Sequence, residues 1–301
     1  MSSSRKFDSL DTRNQHYVPQ FWQRRFDEGD GLVWTLRNNQ TKKRSPKGLM
    51  SRDWLYTTFD AGGRPSNVLE RWSSRIETQA ATAMSSLDAP GGMGSQEDQI
   101  FLRWFIAFSA CRHPDTLRAA HARSKQLAIA IVDVFNKSLS DYKLTLNKFG
   151  IGHEDAVAIF DHVRGLDEAV MLDEMDDVIT RHPNDAILPS QLSIDPETIE
   201  RVFLSLAQHN VTILDAPIGA SFVLGDTPFS PSLGLGFTLP ISSTIALRWE
   251  PAQGEMFPDW TRRLASSTEV AESNKLQADN ALRDLIAKTE AALAPFKKLE
   301  I

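Results

Sequence analysis

Residues 14–26, Asn-Gln-His-Tyr-Val-Pro-Gln-Phe-Trp-Gln-Arg-Arg-Phe, restrict what this chain can fold into more than any other stretch. Pro19 fixes its own φ and drives Val18 toward extended geometry, so His16 and Tyr17 lie on an extended arm. From Gln20 onward, the spacing of Phe21, Trp22, Arg25 and Phe26 predicts a short helix with Pro19 in its first turn. One imidazole, two arginines and four aromatic rings are packed into this stretch, the densest specified chemistry in the sequence.

The run His16-Tyr17-Val18-Pro19-Gln20-Phe21, followed by Arg25-Phe26, resembles the opening signature of the bacterial family known as domain of unknown function 4238. Later segments follow in the family's order. They are Arg112-His113-Pro114 closing an aromatic helix, Gly225-Asp226-Thr227-Pro228 after an apolar strand, Leu239-Pro240-Ile241-Ser242, and Asn274 to Ala281 in the last helix. The family more usually reads Arg-Thr-Pro and Ser-Asp-x-Pro, whereas this chain carries His113 and Gly225 in those places. The resemblance spans most of the chain and implies a shared fold, but it specifies no reaction.

A chain of 301 residues buries a substantial core without disulfide staples. The Pro- and Gly-containing run over residues 88–96 is the clearest boundary. It divides the chain into 1–90, with the arm, a β-hairpin and the first long helix, and 91–301, a helical core with strands at 211–249 and a C-terminal helix. These are expected to be lobes of one integrated domain. A hydrophobic fraction of 41% with 24% charged residues is that of an ordinary soluble protein. Cys111, the single cysteine, reads as a small buried apolar side chain, in keeping with a reducing cytoplasm. No apolar h-region follows the polar N-terminus, and no apolar run approaches the length of a membrane span. Residues 1–80 carry 14 Lys/Arg against 9 Asp/Glu, which leaves 19 against 30 of the chain's 33 and 39 for the remainder. Such a basic N-terminal third suits either a phosphate-bearing partner or packing against an acidic remainder.

Leu32–Leu36 and Thr41–Leu49 flank Asn38-Asn39-Gln40 and read as a hairpin whose lysine-bearing second arm is an edge. Asn67 and Glu70 form a capping box for a helix through Leu69, Trp72, Ile76 and Ala80. Ile100, Phe101, Trp104, Phe105 and Phe108 mark a central helix that ends at Pro114. The acidic residues between Glu154 and Thr180 take helical spacings on a solvated face. Val211–Asp215 and Ala220–Leu224 read as a hairpin through Pro217 and Gly219; Leu282, Leu285, Ile286 and Leu293 read as one face of the last helix. The fold expected is α+β, predominantly helical, with a small, mainly antiparallel β-sheet built from the early hairpin and the 211–249 strands.

His16 is the one side chain of the opening motif that exchanges protons near neutral pH. With Asp226 displayed past an apolar strand and Arg112 at a helix break, it would suffice for acid-base cleavage of a phosphodiester. On that reading His16, Asp226 and Arg112 are catalytic, and Tyr17, Gln20, Arg25 and Glu70 bind ligand. A hydrolase acting on nucleotides or nucleic acid follows. On the alternative, His16 fixes the arm, Asp226 caps loop amides, Glu70 caps its helix, and the chain is a non-catalytic binding module. No metal ligand set is expected, because no His pair or cysteine cluster has the required spacing, and no cofactor is specified. Phosphate-loop, dinucleotide and Gly-x-Ser-x-Gly signatures are lacking from the sequence.

Overall fold

The computed structural model describes residues 14–53, 55–56, 58–59, 65–66, 68–114, 138–148, 196–229, 233–252, 254 and 256–297. The chain divides into two compact units. One comprises Met1–Thr57, Asn67–His113 and Pro196–Ile301, the other Thr58–Ser66 and Pro114–Asp195.

In chain order the first unit contains β1 (Asn14–His16), α1 (Gln20–Arg24), β2 (Val33–Arg37), β3 (Gln40–Arg44), a 3-10 turn at Pro46–Gly48, and β4 (Ser51–Asp53). In the second unit β5 (Thr58–Phe59) pairs antiparallel with β6 (Pro65–Ser66). The first unit continues with α2 (Val68–Ser85) and α3 (Gln96–Cys111), and the second holds α4 (Leu139–Lys148). There the Ser138 hydroxyl accepts the Asp141 amide at 3.1 Å, a side-chain cap. Back in the first unit come α5 (Pro196–Ala207), β7 (His209–Asp215), β8 (Leu224–Gly225), β9 (Phe237–Pro240), β10 (Ile245–Pro251), β11 (Thr261–Leu264), α6 (Ser267–Asn280), β12 (Leu285–Ala287) and α7 (Glu290–Leu293). The acidic stretch expected between Glu154 and Thr180 lies outside the described residues. No helix among the described residues is long and apolar enough to cross a membrane.

Pro19, at φ −56°, leads from the extended arm into α1 as its sequence requires. The early hairpin closes on Asn38 and Asn39 at φ 49° and 62°, the left-handed pair that a tight two-residue turn needs. Its second arm stops at Arg44, short of Leu49, because Ser45-Pro46 starts the 3-10 turn.

The chain is a mixed α+β protein, and the expectation of a predominantly helical one is corrected by its sheets. Two are four-stranded, in the orders β3-β2-β12-β8 and β11-β7-β10-β9, and β1-β4 and β5-β6 form two-stranded ribbons. Of the 211–249 strands, the early hairpin therefore shares a sheet with β8 alone, reached through β12, while β7, β9 and β10 form the other sheet with β11. The 211–224 hairpin is also overturned. β7 pairs antiparallel with β10 and parallel with β11, whereas β8 joins β12 in the other sheet. The cause lies in α6, whose Asn274 and Gln277 side-chain carbonyls accept the amides of Val223 and Gly225 at 2.9 and 3.0 Å. Those bonds draw the chain away from β7. Likewise Leu285 and Ile286 are not helical: β12 is buried throughout and occupies an interior place in its sheet.

The core follows from these layers. Val223, Leu285, Ala287 and Leu293 are buried between the first sheet and α6 and α7, with Trp34, Leu36 and Phe296 packed against them. α3 starts in a capping box, Ser95 with Asp98, and is buried almost all round from Leu102 to Cys111. Trp104, expected in the core, is only half-buried and stacks on Phe108. Trp22 of α1 is fully buried, packs against Phe105 and Phe229, and donates its indole N–H to the Pro240 carbonyl at 3.0 Å.

Candidate functional site

The opening arm is a strand, so its side chains alternate between two faces. β1 pairs antiparallel with β4, placing His16 opposite Ser51. On one face, the half-buried His16 ring has both nitrogens engaged: Nε2 meets the Pro46 carbonyl at 3.2 Å and Nδ1 meets the Gln20 amide nitrogen at 3.4 Å. A carbonyl only accepts, so the network assigns the proton to Nε2 and leaves Nδ1 to accept from Gln20. Burial is the largest influence on this imidazole and lowers its pKa below 6.5. The Pro46 carbonyl and the Glu77 carboxylate oppose that shift, and the Arg112 charge adds to it.

Arg112 closes α3 and is 1% exposed. Its Nη2 donates to Glu77 of α2 at 2.7 Å, and its guanidinium carbon lies 4.9 Å from the Phe108 ring centroid and 5.6 Å from that of Tyr56. Tyr56 in turn donates its hydroxyl to the Arg112 carbonyl at 3.0 Å and its amide to the Gln15 side chain. Arg112 is thus paired with a carboxylate and covered.

On the other face Tyr17 meets His113 edge to face at 5.2 Å, and His113 Nε2 bonds the Asp226 carbonyl at 2.8 Å. Burial and the Asp226 charge push the Tyr17 phenol above its usual range. Asp226 is 2% exposed, and its carboxylate accepts the backbone amides of Leu282 at 2.8 Å and Arg283 at 3.1 Å. Burial raises its pKa, and those amides oppose the rise. Next to it, the fully buried Asp284 takes both Nε and Nη2 of Arg37, at 2.5 and 2.8 Å, and Nε of Arg283 at 2.9 Å.

The sequence-predicted residues fall into two linked groups. His16 bonds Gln20 and feels the charges of Glu77 and Arg112, while His113, next to Arg112, joins Tyr17 to the Asp226 carbonyl. No hydrogen bond among the described residues joins His16 to Asp226. Arg25 is committed elsewhere: its Nε donates to the Ile241 carbonyl at 2.8 Å and its Nη atoms clamp Asp88 at 2.5 and 3.1 Å. Glu70 lies in α2, and its side chain is outside the described residues. Glu77, Arg37 and Asp284 were not singled out from the sequence. Glu77 had a signal, since it follows Ile76 of the apolar stripe by one residue and so flanks the packed face of α2.

No group of three or more His, Cys, Asp or Glu side chains among the described residues is arranged to hold a metal ion. Surface charge is a different matter. Arg24, Lys42, Arg44, Lys47 and Arg52 are all exposed, with Lys42 and Arg44 on one face of β3. Lys43, on the opposite face, pairs with Glu28 and Asp30. His16 and Gln20 connect this basic region to the arm, because Gln20 also accepts from Arg24 at 3.1 Å and Pro46 precedes Lys47.

Residues 14–291 match the model of a family described as protein of unknown function (DUF4238). No curated protein and no solved structure matches the chain.

Proposed function

The chain belongs to the DUF4238 family, and from that premise we propose that it is a non-catalytic binding module, with its opening motif as anchor and a nucleic acid or nucleotide as ligand. One observation carries this reading: both nitrogens of His16 are engaged within the fold, by a backbone carbonyl and by the Gln20 amide. An imidazole held in this way orders the arm; it has no vacant nitrogen for a substrate proton. The other catalytic candidates are similarly committed, Arg112 to Glu77 and Asp226 to the amides of Leu282 and Arg283.

The ligand class follows from charge. Lys42, Arg44, Lys47 and Arg52 occupy exposed positions within a short stretch of chain, where cations neutralise phosphates and release counterions. Fluorescence anisotropy with labelled single-stranded and duplex DNA and RNA, at several salt concentrations, tests the reading. The double variant Lys42→Glu/Arg44→Glu is expected to weaken binding at least about ten-fold and to flatten the salt dependence by about one unit per lost phosphate contact. Binding that is unchanged in the variant would contradict the proposal.

A second reading is favoured by a specific feature. His16 is half-buried and its pKa is lowered, so it is neutral at pH 7, the protonation state of a general base. A hydrolase of phosphodiester or nucleotide substrates would use His16 for proton transfer, Arg25 and Arg112 to hold the anion, and Asp226 as orienter or metal ligand. Turnover of RNA, DNA or nucleotides by the purified protein, with or without divalent cations and lost in His16→Ala, would favour it over the binding module. For location we propose the cytoplasm: Cys111 is buried as a free thiol, and burial pushes its pKa up to about 11.

A further inference from the structure

The interior under the second four-stranded sheet holds a cation that neither reading uses. Arg103, on the buried half of α3, is 1% exposed, and no carboxylate among the described residues pairs with it. Its Nη2 donates to the carbonyls of His209, at 3.4 Å, and Pro258, at 3.2 Å. Its guanidinium carbon lies 5.3 Å from the Trp260 ring centroid and 5.8 Å from those of Trp249 and Phe257. Aromatic faces compensate part of the charge, but they accept no in-plane N–H.

Arg103 and three residues that it contacts share one property. Among the described residues, Arg103 Nε, Trp249 Nε1, Trp260 Nε1 and His209 Nε2 all lack hydrogen-bond partners, and all four side chains are at least nine-tenths buried. Buried polar groups are almost always bonded, so four orphans on Arg103 and residues that contact it require an explanation. Their chemistry is specific. The first three are N–H donors; His209 donates Nδ1–H to the Ser205 carbonyl at 2.8 Å, which leaves Nε2 as an acceptor.

We propose that Arg103, Trp249, Trp260 and His209 form a buried site for a small oxyanion that carries one proton, with hydrogen phosphate as its type. The anion's oxygens accept the three N–H groups, its charge meets the guanidinium, and its own O–H donates to His209 Nε2. Burial alone pushes the Arg103 pKa down to about 10, the direction expected of a cation without a counter-ion. The cover over the cluster is thin: Phe257 and Pro258 are half-buried, and Phe257 takes φ 56°, a strained conformation for an aromatic residue. This site is separate from the exposed cations of β3, and it discriminates by proton rather than by charge. Sulfate, which carries no proton at neutral pH, should be held less well than phosphate.

Thermal unfolding of the full chain at constant ionic strength tests the assignment, with sodium phosphate, sulfate or chloride as the added salt. Phosphate is expected to raise the wild-type Tm saturably, by about 5 °C at a hundred-fold excess over Kd, and sulfate by less. Arg103→Met should lose the phosphate response while keeping the far-ultraviolet circular dichroism of the wild type, which separates this site from phosphate bound to surface lysines. If Arg103→Met does not fold, Trp260→Phe removes one donor, keeps the ring, and should weaken phosphate binding roughly ten-fold. A wild type indifferent to phosphate, an equal response to phosphate and sulfate, or a phosphate shift that survives Arg103→Met or Trp260→Phe would each overturn the proposal.

Discussion

At the scale of single residues, His16 shows how one geometry admits two functional readings until titration is considered. Its folded pKa lies below the 6.5 of a free imidazole, chiefly through burial, with Glu77 and Arg112 as the facing charges. On acidification the unfolded chain therefore takes up the proton first. The stability that His16 contributes is complete above pH 6.5 and is lost as pH falls from there through the folded value. We expect the wild type to lose more stability between pH 7 and pH 5 than His16→Gln, as measured by urea midpoints at the two pH values; equal losses would refute a buried neutral imidazole. The sequence made His16, Arg112 and Asp226 visible as unusual, because each lies within three residues of a proline that constrains the local backbone. Their partners were not visible. Glu77, Leu282 and Asp284 reach them only through folding, and of the three only Glu77, beside the apolar stripe of α2, carries a local signal.

Elements were legible where their determinants are local. The Asn38-Asn39 turn and the end of α3 before Pro114 follow from backbone sterics and appear as expected, whereas Pro19 caps α1 from outside instead of lying in its first turn, and the helix stops at Arg24. β12 was misread because Leu285 and Ile286 continue an apolar pattern that also fits a helix, and a short buried strand shows no alternation. β8 was misassigned because its partner is chosen by α6, where Asn274 and Gln277 take the strand's amides. The same contact explains Gly225. A β-carbon built there would lie 2.6 Å from the Gln277 backbone carbonyl, so any larger residue must push α6 outward. Gly225→Ala is expected to destabilise the protein by about 1–3 kcal/mol in denaturant unfolding. An unchanged midpoint would mean that α6 does not press on β8.

At the level of the whole molecule, long-range bonds decide what the opening motif is for. Trp22 donates to Pro240, Arg25 to Ile241, and Arg37 clamps the buried Asp284, so residues of the first forty are fastened to the last quarter of the chain. Such pairings lie more than two hundred positions apart and leave no periodic trace in the sequence, which is why the motif's density read equally well as chemistry and as anchorage. The structure distributes its polar atoms among backbone carbonyls and ion pairs within the first unit. Thermal unfolding of His16→Ala beside wild type at pH 7, with nucleic-acid hydrolysis assayed on the same samples, tests this most directly. An anchoring imidazole predicts a loss of about 2 kcal/mol, or roughly 5 °C in Tm, and no hydrolysis by either protein. An unchanged Tm, together with hydrolysis that only the wild type performs, would contradict it.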